Sequence, residues 1–569
     1  MRILTNRLLP FCGALGITSC AADLASRDYY PRHPSARDVL AHDPCSVSRE
    51  PQIIVRAPNA DPELKQRAVE AANKSVDQLR SIDSTLVCGL KAIEFLGDPQ
   101  YRASAEDEST KNSTAHYATD ELILRINITK FWPITHEYGH HIHNTGMLAP
   151  TIERFFAPTW EWGYGSNEPT PKCPTGIEET CFVDYKAAYD HYEDWARTLE
   201  QLILNPVALH ARTGLNLYTT GTTPLQDKIS TIYQDVPLEK PMTGTITFGE
   251  TFQFPRSDAQ MMAGAVLYLH NFAEGNMIGY KLGGEGFTLL PGQSPAVLLS
   301  KQSITRKFAR PDQWVYDGLR IGKDLFMHAH SRVFYTKKLG ADHSAVASIR
   351  TDGKSSLREY NTDDDDIMGL LIELEGKPAY FKGFSDIVEL KILDPETNQT
   401  EVRQTWQLPK DWRPFNAYQL DSGDIIIIAV VGGGSGYESS LIHVAHIVRK
   451  PNGEFSEEAQ LGAGTMMDST LFDHMRMPVS SENLVIFPTF TASPGGNMGF
   501  FIYDLNIRKF RPVSLATQNL PKALQGIEKN IVTMNIVPNG GGGKLLSITT
   551  EEHTLVVPFA LQLFQPEGP

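Results

Sequence analysis

Residues 131–146 read FWPITHEYGHHIHNTG. Pro133 sets the backbone for a helix start, and Gly146 supplies a stop, so the stretch predicts a short helix ending near Asn144. His136 and His140 lie four residues apart, which on a helix places both imidazoles on one face. Two such rings reach one zinc ion at ~2.0 to 2.1 Å. Glu137 sits beside them, where a carboxylate takes a proton from an attacking water and passes it to a leaving amine. Zinc in that setting brings the pKa of water towards ~7, so hydrolysis at neutral pH is the chemistry this spacing serves. His141 and His143 extend the cluster and are expected to face away from the ion.

The third ligand sets the subtype. A Gly at position 143 with His at 146 would complete the metzincin pattern, but the chain has His143 and Gly146. The other known source is a glutamate on a later helix. Residues 185–206, YKAAYDHYEDWARTLEQLILNP, supply Glu193 beside the apolar stripe of Tyr189, Ala196 and Ile203, with Glu200, Glu161 and Glu153 as rivals. A plain surface pair of Glu193 with Arg197 at i+4 is the structural alternative. The run Glu193-Asp194-Trp195-Ala196 after the histidine helix resembles that of bacterial gluzincin metallopeptidases.

That resemblance, over roughly residues 50–240, implies an α+β zincin-like fold, Zn2+ as cofactor, and peptide or protein substrates. It implies His136, His140 and Glu193 as ligands and Glu137 as the catalytic acid–base. It further implies a substrate-binding edge strand, placed at Glu121–Ile128, and a donor to the tetrahedral oxyanion. Tyr185 is the candidate for that donor, with Tyr189, His191 and Tyr192 as competitors. The thermolysin-like members carry an acid four residues after the glutamate, where this chain has Arg197.

Outward from the motif the chain has two textures. Residues 51–56 and 121–128 read as strands, and 61–82, 185–204 and 224–233 read as helices, which makes 50–240 a mixed domain. In 61–82 the stripe is Ala68, Ala71, Ala72, Val76 and Leu79. From 245 to 569 helical patterning nearly vanishes, and runs such as DIIIIAVV and LIHVAHIV recur between turns. Strand groups return every ~45 to 50 residues, so roughly 325 residues predict an all-β domain that is a β-propeller of six or seven blades. Paired sheet sandwiches are the alternative.

The N-terminus predicts export. Arg2 and Arg7 precede a run of ~10 apolar residues, Leu8–Ile17, as in a secretory signal. Ile17-Thr18-Ser19-Cys20 resembles a bacterial lipobox, which implies a signal peptide at 1–19, lipidation of Cys20, a tether at 20–49 and an anchor in the cell envelope, on the outer membrane by the identity of Ala21. Cys45, Cys88, Cys173 and Cys181 then remain, an even number that suggests two disulfides in an oxidising compartment. Nearness favours Cys173 with Cys181, leaving Cys45 with Cys88; the other pairings stay open.

Composition removes some classes. Apolar residues are 41% and charged residues 21%, an ordinary globular balance, and 67 acids against 52 bases give a net charge of -15. So acidic a chain is not built to neutralise phosphates, and nucleic acid is not an expected partner. Asp363–Asp366 reads as a solvated loop. Gly540–Lys544 fails as a phosphate loop and reads as a turn. Three functions remain: a membrane-anchored zinc metalloendopeptidase, a non-catalytic binding lipoprotein whose propeller holds a protein or glycan, and a propeller enzyme acting on glycans, which lacks recognisable paired carboxylates.

Overall fold

The computed structural model describes residues 44–564 apart from 106–110, 131–132, 163–168, 174–179, 185, 189, 214–219, 258, 264–265, 272–275, 284–285, 290–312, 322–323, 332–343, 351–357, 361–366, 432–439, 468–478, 482, 491–497, 528–530 and 540–542. The signal peptide, Cys20, Tyr185 and the Asp363–Asp366 run therefore lie outside the described residues. Among the described residues no helix is long and apolar enough to cross a membrane. Two compact units emerge, one of Met1–Leu204 with Pro224–Lys240, the other of Asn205–Thr223 with Pro241–Pro569.

The first unit is α/β. Its elements run β1 (Gln52–Arg56), α1 (Pro62–Ile82), β2 (Ala92–Leu96), α2 (Asp98–Ser104), β3 (Ala115–Ala118), β4 (Ile123–Asn127), α3 (Ile134–Thr145), α4 (Ala149–Phe156), β5 (Trp160–Trp162), β6 (Pro169–Pro171) and α5 (His191–Leu204). Helix α6 (Pro206–Thr213) belongs to the other unit, and α7 (Pro224–Asp235) returns to this one. Asp61 starts α1 by accepting from the Glu63 N–H at 2.8 Å, the ordinary chemistry of a helix start. The helix buries Ala68, Ala72, Val76 and Leu79.

The sheet order is β1-β2-β4-β3, with β1, β2 and β4 parallel and β3 antiparallel. Parallel neighbours need a crossover, which α1 supplies between β1 and β2. Strand β2 is buried at every position, so it shows no alternation by which the sequence could announce it. The expected edge strand is corrected here. Strand β4, within 121–128, is interior; the edge before α3 is β3.

Two helix boundaries follow from local chemistry. Gly146 ends α3 in the left-handed conformation, at φ 72, and its N–H bonds the His143 carbonyl. The predicted helix from Tyr185 begins later, at His191. Asp190 caps it, accepting the Tyr192 N–H on Oδ1 at 2.9 Å and the Asp194 N–H on its carbonyl at 2.9 Å.

Among the described residues the second unit is all-β but for α6 and a short 3-10 turn at Lys522–Leu524. Its first sheet is Ala259–Ala263, Val266–Asn271, Asn276–Gly283 and Gly286–Leu289; the second spans Gln313–Tyr360, the third Ile367–Gln407, the fourth Trp412–Met467 and the fifth Val479–Arg511. Each of these sheets is built from strands consecutive in the chain. The sixth joins Val513–Gln518, Ile531–Asn539, Gly543–Thr550 and His553–Phe564 to strands from the start of the unit, β7 (Met242–Phe248) and β8 (Phe252–Pro255). Gly543 and Lys544 thus open a strand, and the rest of the 540–544 turn lies outside the described residues.

Neighbouring sheets pack face to face. In the fourth sheet Ile425 and Ile427 enter a core with Phe381 and Leu390 of the third, while Ile426 and Ile428 enter another with Phe487 and Phe501 of the fifth. That is why DIIIIAVV is apolar at successive positions: both faces are covered. Cores also join the second sheet to the third, the fifth to the sixth and the sixth to the first. The opening strands of the first and second sheets touch as well, so the series closes on itself. Val207, Ala208 and Ala211 of α6 sit in the core between the fourth and fifth sheets. Helix α6, read from sequence within 50–240, therefore packs with the all-β unit.

Candidate metal centre

Helices α3 and α5 approach unusually closely. A Cβ built on Gly139 would stand 2.7 Å from the Ala196 Cα, nearer than real contacts allow. The Trp195 Nε1–H donates to the Gly139 carbonyl at 3.1 Å. The glycine inside the motif is therefore a packing requirement, and it lets Glu193 of α5 meet the histidines of α3.

His136, His140 and Glu193 form the candidate group, with one ligand atom from each within 4.8 Å of the others. The two Nε2 atoms are 3.2 Å apart, His140 Nε2 is 3.3 Å from Glu193 Oε1, and His136 Nε2 is 3.6 Å from Glu193 Oε2. Two ligands bonded at ~2.0 to 2.1 Å to one tetrahedral ion stand ~3.3 to 3.4 Å apart. The three separations bracket that value, and a donor set of two imidazoles and a carboxylate suits a divalent ion such as zinc. The residues fit a metal without naming it.

Electrostatics favour positive charge at the same point. Burial pushes His136 down, but its bonds to Glu193 and Glu200 outweigh that and carry its pKa up to about 10. Burial raises Glu193, yet His136 and His140 hold it well below the carboxylate range. Glu137 is buried beside them, and desolvation raises its pKa against the pull of His140 and His136.

The rivals separate. Glu200 lies on the other side of the imidazole, its Oε2 3.4 Å from His136 Nδ1. A carboxylate there favours the tautomer with the proton on Nδ1, leaving the Nε2 lone pair for a ligand. Its signal was present in the sequence, because positions 193 and 200 share a helix face. Glu153 and Glu161 lie on α4 and β5, outside the group. Glu193 also makes the i+4 contact, accepting from Arg197 Nε at 2.8 Å on Oε2, and this ion pair leaves Glu193 within the candidate group.

The flanking histidines play other parts. His141 is buried, its Nε2 3.1 Å from the Cys88 carbonyl and its Nδ1 2.9 Å from the Tyr117 hydroxyl. Nε2 therefore donates and Nδ1 accepts, tying α3 to β3. His143 packs its ring against Tyr192, 4.4 Å between centroids, and against Phe156. Of the competitors for the oxyanion donor, His191 and Tyr192 are described in the first turn of α5, while Tyr185 and Tyr189 fall outside the described residues.

Behind α5 lies a charge pair that sequence reasoning missed. Lys228 of α7 and Asp194 are fully buried, with Lys228 Nζ 2.6 and 2.8 Å from the two carboxylate oxygens and 2.7 Å from the Cys181 carbonyl. Trp160 Nε1 donates to Asp194 at 2.8 Å. The 34-residue separation leaves no local signal for the pair. The disulfides are Cys45–Cys88 and Cys173–Cys181. The carbonyl of Cys88 thus braces α3 through His141, and that of Cys181 braces α5 through Lys228.

No family model matches the chain, nor does any curated protein. Among solved structures, a protein of unknown function from Dyadobacter fermentans is similar at 8% identity and TM-score 0.29, over 57% of this chain and 99% of that one. An endo-arabinanase from Bacillus licheniformis is similar at 16% and 0.24, over 44% and 96%. The tricorn protease is similar at 10% and 0.27, over 55% of this chain and 34% of that one. Likeness this distant carries no argument about function, and the reading of the site rests on its geometry.

Proposed function

We propose that this chain is a zinc metalloendopeptidase of gluzincin type, held to the cell envelope by a lipid on Cys20, with a six-bladed β-propeller that presents or selects substrates. The observation that carries the proposal is the meeting of His136, His140 and Glu193 with Glu137 buried next to them. Zinc held by those three residues supplies Lewis acidity towards water and the scissile carbonyl. Glu137 receives the proton of the attacking water and delivers it to the leaving amine. Strand β3, at the edge of the sheet and packed against α3, is the proposed docking edge for an extended peptide. Tyr185 is the proposed donor to the oxyanion. The closed series of six sheets, completed by β7 and β8 beside His553–Phe564, supports the propeller.

The test is zinc content and peptide cleavage by wild type and Glu137→Gln. About one zinc per chain in both, with cleavage reduced ~10²- to 10⁴-fold in the variant, is the expected result. Zinc without cleavage of any peptide by wild type would turn the reading towards the binding lipoprotein. Equal cleavage by the two proteins would remove Glu137 from the mechanism.

A further inference from the structure

Arg197 stands where the thermolysin-like peptidases carry an acid, and its surroundings give it a defined task. Its Nε donates to Glu193 Oε2 at 2.8 Å, and its Nη1 donates to Asp184 Oδ2 at 2.8 Å. Asp184 is itself fixed, because its Oδ1 accepts the backbone N–H groups of Lys186 and Ala187, each at 2.9 Å. The backbone of Lys186 and Ala187 thus holds Asp184, Asp184 holds the guanidinium, and the guanidinium holds one oxygen of Glu193. That oxygen stays 3.6 Å from His136 Nε2, and the other, Oε1, lies 3.3 Å from His140 Nε2. These residues are part-buried, so solvent screens the contacts less than at an open surface.

We infer that Arg197 is a positioning residue of the metal centre: anchored by Asp184, it holds Glu193 Oε2 and so fixes the rotamer in which the carboxylate faces His136 and His140. The inference rests on the metal-centre reading above. A flexible glutamate can turn its carboxylate away, and holding one of its oxygens fixes the rotamer before the ion arrives. Such partners of a ligand are worth ~10- to 100-fold in metal affinity. The sign of the effect separates positioning from simple charge. A guanidinium near a cation repels it, so if charge alone mattered, removing Arg197 would tighten binding. Positioning predicts the opposite.

The experiment is competition of wild type and variants against a chromophoric zinc chelator, with the visible spectrum of the cobalt-loaded protein as a second readout. Arg197→Met should bind zinc ~10- to 100-fold more weakly and change the cobalt bands, with the melting of the metal-free protein unmoved. Arg197→Lys, with one donor point in place of a fork, should recover part of the loss. Asp184→Asn cuts the anchor without touching the Arg197–Glu193 contact and should weaken binding less, in the same direction. This second variant keeps the inference testable if Arg197→Met fails to fold. Zinc binding by Arg197→Met as tight as wild type, or tighter, would overturn the inference and leave the metalloendopeptidase reading standing. Absence of zinc binding by wild type would overturn both.

Discussion

The two units bury different things. In the all-β unit the cores are sheets of Ile, Val, Leu and Phe, and the strand Ile425–Val431 sends alternate isoleucines into two of them. In the α/β unit, Glu94, His136, Glu137, His141, His191, Asp194 and Lys228 are all buried. Among the described residues the all-β unit buries few ionisable groups, chiefly His210, His446 and Asp504. Burying charge is expensive unless each group is paired. A fold that keeps so many ionisable groups dry has spent stability on arranging them, whereas the sheets gain theirs from apolar area. Perturbed ionisable groups gathered beside His136, His140 and Glu193 make the α/β unit the place where the proposed chemistry would sit.

The sharpest way to break that contrast is to unpair Lys228. Lys228→Met leaves Asp194 buried with only Trp160 donating, and removing one partner of a buried pair costs ~3 to 5 kcal/mol. Hydrogen exchange should show lost protection across α3, α5 and α7, with the sheets of 259–564 unmoved. A double variant, Lys228→Met with Asp194→Leu, should regain part of the loss. If the single variant exchanges like wild type, the pair contributes no net stability and the α/β unit is held by its apolar core alone.

How far the sequence discloses each unit follows the same division. His136, Glu137 and His140 were legible because helical spacing alone brings them to one face. Glu193 was legible through its neighbours Asp194 and Trp195, and both prove to be fixed in place, Asp194 by Lys228 and Trp195 by Gly139. What Glu200 does was not legible, since choosing Nδ1 over Nε2 depends on how the His136 ring is turned. Strand β3 has only four residues, Ala115–Ala118, too few for a periodic signal. The repeat of strand groups was visible in the all-β unit, but not its closure. That closure pairs Met242–Phe248 with a strand some three hundred residues later, and no local pattern encodes such a contact.

A second test probes the exception in the all-β unit. His210 on α6 is buried, and desolvation lowers its pKa from 6.5 to about 4. The unfolded chain takes up a proton as pH falls through ~6.5, while the folded chain resists until about 4. The stability that a neutral His210 contributes is therefore full above ~6.5 and drains away towards pH 4, to a limit of about 3 kcal/mol. Denaturant titrations at pH 7 and 4.5 should show this slope, and His210→Gln should flatten it. An unchanged slope would mean that acid sensitivity comes from elsewhere, in keeping with the α/β unit holding most of the buried ionisable groups.

The smallest expected effect bears most directly on how the site is made. Gly139→Ala adds one carbon where the Ala196 Cα would be 2.7 Å away. Backbone cannot yield as a side-chain tip does, so α3 and α5 must part by a few tenths of an ångström. Overpacking of this kind costs ~1 to 3 kcal/mol, partly offset by the better helix propensity of alanine. The consequence for metal binding should exceed the consequence for stability, because His136 and His140 ride on one helix and Glu193 on the other. Calorimetry should show a modest loss, and zinc competition a loss out of proportion to it. Were zinc affinity to follow stability and no more, the close approach at Gly139 would be ordinary core packing, and the registration of Glu193 would have to come from the Arg197 clamp alone.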